Sequence, residues 1–185
     1  MAEMEYDWDD DFDPESLDRI GPDAGKYHFA VVGVDEEGGK KGEMIIDLEV
    51  LAGTTPKQEG RVHREYLTKS IKAMKRFHSL AIALGMVTVE KLKEMKEANE
   101  RPKYDFPAQI GKQLCAELFE EEYNGKPQIK CGFNFYHVTH PKVEKWPKNA
   151  GMLKKIGVTL PDPPPEQQSY QPPQANTDNA LDGII

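Results

Sequence analysis

No stretch of this chain approaches the roughly 18–20 consecutive apolar residues that a membrane-crossing helix needs. Mean hydropathy is low, at -0.69. Cysteine is scarce: Cys115 and Cys131 are the only two. That scarcity fits reduced thiols and a cytoplasmic location. Basic residues are nearly missing from both ends. Arg19 is the one base in residues 1–23, and residues 162–185 hold no Lys or Arg. An opening as acidic as Met1 to Asp13 reads as neither a signal nor a transit peptide. Catalytic motifs are missing too. HExxH, GxSxG and CxxC do not occur, and Gly38-Gly39-Lys40-Lys41-Gly42 lacks the spacing and the Ser/Thr of a phosphate-binding loop. The expectation is a non-enzyme without cofactor.

Two metal readings are weak. Cys115, Cys131, His137 and His140 are zinc-type ligands, but the cysteines lie far apart in sequence. Asp7, Asp9, Asp11 and Asp13 echo a calcium loop, yet Phe12 stands where that loop requires glycine.

What the chain does have is segregated charge. The net charge is -8 over 185 residues. Residues 1–23 carry ten acids and residues 162–185 carry four, which leaves 23 bases and 18 acids between them. A basic middle with acidic arms is typical of a polyanion-binding domain, though solvated tails also keep a protein soluble. The domain reading is an acidic flexible leader at 1–24, one binding domain at 25–160 and a Pro/Gln-rich disordered tail at 161–185.

Within the middle, period-two alternation marks strands at 26–35, 43–51 and 61–67. Thr68 opens a helix carrying Ile71, Met74, Phe77, Ala81 and Leu84 at helical spacing, with Gly85 just past its end. A second, charged helix follows Thr88. Residues 112–122 and 128–138 form a hairpin around Asn124-Gly125, the strongest short hairpin signal. Leu114 to Phe119 has some helical character, which the hairpin outweighs. Three strands, a helix and two strands is the element order of the OB-fold. The predicted architecture is therefore mainly β: a five-stranded OB-like Greek-key barrel with its helix between strands three and four.

Cations interleaved with aromatics suggest single-stranded nucleic acid. Cations neutralise phosphates and release counterions, and flat rings stack on unpaired bases. The candidates are Lys40 and Lys41 in the first loop, and Arg61, His63, Arg64 and Tyr66 on the third strand. Lys112, Tyr123, Lys126, Lys130 and Tyr136 join them on the hairpin, with Trp146 beyond it. Tyr66 and Tyr136 have an equal claim to structural roles, and Trp146 to capping the barrel edge. Phe29, Phe133 and Phe135 are expected in the core. Lys69, Lys72 and Arg76 read as a solvated helix face. At the C-terminus, Leu181, Asp182, Ile184 and Ile185 form an acidic, apolar tip on a flexible linker, a design suited to recruiting partner proteins. The acidic leader reads either as a solubilising arm or as a competitor for the basic face.

The chain also resembles a family of small phage-encoded proteins found beside recombination and replication genes. The resemblance rests on the acidic leader, Gly25-Lys26-Tyr27-His28-Phe29, Gly42-Glu43-Met44-Ile45-Ile46 and Glu49-Val50-Leu51. It continues through Ala81-Ile82-Ala83-Leu84-Gly85, Gly111-Lys112 and Tyr123-Asn124-Gly125-Lys126. It implies an OB-like protein that binds single-stranded DNA during phage replication or recombination, and so a location in the cytoplasm of a bacterial host; the partners expected at the C-terminal tip are then replication or recombination proteins. A non-enzymatic protein–protein adaptor with an OB-like barrel is the alternative.

Overall fold

The computed structural model describes residues 21–160. It is mainly β. Strands β1 (Gly25–Asp35), β2 (Met44–Gly53) and β3 (Val62–Leu67) precede helices α1 (Met74–Ala83) and α2 (Val89–Glu97). Strands β4 (Gln113–Tyr123) and β5 (Lys126–Tyr136) follow, then a short helix α3 (Ala150–Lys155). The strands form one antiparallel sheet in the order β3-β2-β1-β4-β5. No helix among the described residues is long and apolar enough to cross a membrane.

Local chemistry explains the punctuation. Asn124 and Gly125 both take positive φ, 53° and 75°, as a tight two-residue hairpin turn matching strand twist demands. Thr88 caps α2 by accepting a hydrogen bond from the Lys91 N–H. At the end of α1, Gly85 has φ +71°. Gly85 and Met86 donate to the Ile82 and Ala81 carbonyls, the paired bonds that close a helix on a left-handed glycine. The helix itself starts only at Met74, so Ile71, expected on its buried side, is 94% exposed.

Two cores lie on opposite faces of the sheet. On the inner face, Tyr27, Phe29, Val31, Ile46, Leu48, Leu114 and Leu118 pack with Phe77, Leu80 and Ala81 of α1. On the outer face of β1 and β4, Cys115 is covered by Val138, Val143 and Leu153 from the segment after β5. A buried polar chain fastens that segment. The Asn149 N–H donates to His28 Nδ1 at 3.1 Å, and His28 Nε2 donates to Gln113 Oε1 at 2.9 Å. Gln113 Nε2 then donates to the Met152 carbonyl at 2.8 Å. His28 thereby holds a proton on Nε2 and a lone pair on Nδ1.

The closed barrel expected from element order is not found. β3 and β5 are the free edges of an open sheet. What joins them is a side chain of α1. Arg76 Nη1 donates to Glu65 Oε1 on β3 at 2.7 Å, and Nη2 donates to the Gly132 carbonyl on β5 at 3.1 Å. The carbonyls are free because β5 bulges there. Cys131 pairs with Leu118 and Phe135 with Ala116, so three β5 residues stand opposite Glu117 alone. A guanidinium with donors in a planar fork spans the two edges where backbone pairing would otherwise close the sheet.

Candidate nucleic-acid interface

The outer face of β1–β3 is a grid set by strand register. One row holds Ala30, Glu49 and Val62; the next Gly33, Asp47 and Arg64; the third Asp35, Ile45 and Tyr66. Alternation along β3 sends Val62, Arg64 and Tyr66 outward and His63, Glu65 and Leu67 inward. Arg64 meets Asp47 in a bidentate pair, Nε–Oδ1 2.8 Å and Nη2–Oδ2 3.0 Å. Beside it, Tyr66 is 48% exposed. Ile45, opposite Tyr66, lies two residues past the loop between β1 and β2. The exposed Lys40 and Lys41 therefore stand at the Tyr66 end of β3.

The other end of β3 faces the hairpin. Val62, His63 and Arg64 line an open cleft of about 830 Å³ against Glu120, Pro127 and Ile129, with residues 21–24 along it. Arg61 is half-buried at this end, where its Nη1 donates to the Gly21 carbonyl at 3.4 Å. At the hairpin tip Tyr123 is 61% exposed and directly opposite Lys126, which is also exposed. Lys130 pairs with Glu121 and lies 6.0 Å from the Tyr123 ring centre.

The sequence-derived candidates thus fall into groups. Lys40, Lys41, Arg61, Arg64 and Tyr66 gather along β3, and Tyr123, Lys126 and Lys130 gather at the hairpin. Four others belong to different surroundings. His63 is buried, with Nε2 3.0 Å from Glu65 Oε2, because the strand's alternation points it inward. Tyr136 and Trp146 pack edge to face at 5.9 Å within the second core, and Tyr136 also meets His140. Both rings are half-buried against the cluster that holds Cys115. Lys112 is exposed in the turn before β4, where its carbonyl accepts the Val31 N–H. Leu181, Asp182, Ile184 and Ile185, like the leader, lie outside the described residues.

Two side chains depart from expectation. Phe133, assigned to the core by alternation, is 53% exposed, because it stands in the β5 bulge, outside the regular pairing with β4. Gly132 beside it was the available signal, since glycine inside a strand often marks a bulge. Arg76 is no solvated helix residue. Its side chain is 18% exposed and clamped. Burial works against ionising Glu65, but its hydrogen bond to His63 and the Arg76 charge together hold its carboxyl below the usual range.

The zinc-type residues do not converge. Cys115 sits in the outer core and Cys131 in the inner one. Burial pushes the Cys115 thiol up to about 12 and raises Cys131 as well. Neither is a ready thiolate ligand. No protein-family model matches the chain, and a search of curated proteins finds no match either.

Proposed function

We propose that this chain binds single-stranded DNA without strong sequence preference, on the outer face of β3 between the Lys40-Lys41 loop and the Tyr123-Lys126 hairpin tip. The observation that carries the reading is the strand order. β3-β2-β1-β4-β5 with α1 between β3 and β4 is an OB barrel's order, opened at the seam between its third and fifth strands. In that fold the ligand lies on the strand 2–3 face and touches the loops joining strands 1–2 and 4–5. Here those places hold Tyr66 and Arg64, Lys40 and Lys41, and Tyr123 and Lys126. Phosphates meet the lysines and a base stacks on Tyr66. As a single-strand coat in phage replication or recombination, the domain would be linked to partner proteins through the tip at Leu181 to Ile185.

Anisotropy titration of a labelled oligo-dT, at two salt concentrations and beside a duplex of equal length, tests this. Salt-sensitive binding to the single strand in preference to the duplex is expected, and Tyr66→Ala weakens it by about tenfold. No binding to either DNA at low salt overturns the reading. The alternative, a protein-binding adaptor, is favoured by one observation: Asp47 and Glu121 already neutralise Arg64 and Lys130. Binding of a protein partner by a DNA-indifferent chain would establish it.

A further inference from the structure

The seam between β3 and β5 has an order of its own. Val62 to Arg64 face Pro127 and Ile129 across the cleft, and Glu65 is tied to Gly132 through Arg76. Residue numbers rise together along both lips, so Tyr66 and Phe133 come next on either side of the clamp. Both rings are about half exposed. Tyr66 faces outward by strand alternation, and Phe133 stands exposed in the bulge of β5, next to the Gly132 carbonyl that Arg76 takes. The chain leaving β3 carries Lys69, Lys72 and Lys75, all exposed and without an ion pair among the described residues.

We propose that Tyr66 and Phe133 form a two-lipped stacking site across the β3–β5 seam for bases of one nucleic acid strand, with Arg76 as the positioning residue that fixes the separation of the lips. The proposal rests on the single-strand reading above and adds a second platform and a register to it. Two rings on separate lips accept unpaired bases, each with its own free face, whereas duplex bases are covered by their neighbours. Cations beside the seam complement the phosphates that such a strand brings with it. Arg76 touches no base. It acts by bridging Glu65 and the bulge carbonyl, a reach that the single ammonium of lysine cannot copy.

The test uses the full chain and oligo-dT of graded length. Phe133→Ala is expected to weaken binding by about tenfold, but only for oligomers long enough to reach both lips. Phe133→Leu does not restore affinity, and Phe133→Trp does, with indole emission quenched by oligo-dT and not by duplex. In an Arg76→Lys background the Phe133→Ala effect shrinks, while Tyr66→Ala keeps its full effect. If Arg76 were merely structural, its substitution would lower the melting temperature and leave the Phe133 effect intact, which overturns its positioning role. A parent chain that binds oligo-dT with Phe133→Ala unchanged overturns the two-lipped site and leaves the single-strand reading standing. A parent chain that binds no oligo-dT overturns both.

Discussion

His28 is wholly buried and hydrogen-bonded at both ring nitrogens. Burial lowers its pKa, the Gln113 bond partly opposes this, and the Lys148 charge lowers it further. Protonation would place a second N–H on Nδ1, against the Asn149 N–H that it now accepts. A group whose folded pKa is depressed gives stability that is complete above its unfolded value, about 6.5, and lost as pH falls. The melting temperature is therefore expected to decline below about pH 6.5, and His28→Gln to flatten that limb. His137 titrates in the same window, with its pKa also lowered by burial, so His137→Gln is the control. A decline that persists undiminished in His28→Gln refutes the assignment. Glu65 acts separately and lower, since its depressed pKa puts the loss of its ion pair below the usual carboxylate range. That His28 is a residue of this kind was not legible in the chain. Alternation placed it on the polar side of β1, and its burial comes from residues more than a hundred positions away.

Elements defined by neighbours in sequence were the legible ones. The hairpin turn, the Thr88 cap and the Gly85 stop each follow from backbone chemistry within a few residues, and each is where spacing puts it. Elements defined by distant contacts were not. The burial of Arg76 depends on Glu65 of β3 and the Gly132 carbonyl of β5, and the docking of α3 depends on His28 and Gln113. Nothing in residues 137–160 alone reveals that Val143 and Leu153 are fully buried. Leu153→Ala probes this docking. A large-to-small change in a core costs about 2–5 kcal/mol, and here the loss falls on the contact between α3 and the outer face of β4. Labelling of Cys115 by a thiol reagent is expected to accelerate in this variant well below the unfolding transition. Cys131, in the inner core, stays protected. Equal acceleration at both cysteines would mean that the two faces unfold together.

Over the whole molecule, a net charge of -8 opposes binding to a polyanion unless local charge prevails. The sequence shows the basic excess of the middle, but not which bases are already spent. The fold decides that by register: Asp47 lies directly opposite Arg64, and their bidentate pair removes one guanidinium from the β3 face. Solvent and salt screen an exposed pair, so it contributes little to stability, and releasing this one leaves the fold intact. Asp47→Asn deletes a negative charge from the face and frees Arg64 for a phosphate. Each added phosphate contact steepens the slope of log K against log salt by about 0.7 on a single strand. Asp47→Asn is therefore expected to tighten oligo-dT binding several-fold at low salt and to steepen that slope by about 0.7, with no change in melting temperature beyond a degree or two. Arg64→Gln on the same background should return the slope to its parent value. If Asp47→Asn leaves both affinity and slope unchanged, the strand does not cross the Asp47–Arg64 row, and its path must lie over the seam and hairpin alone.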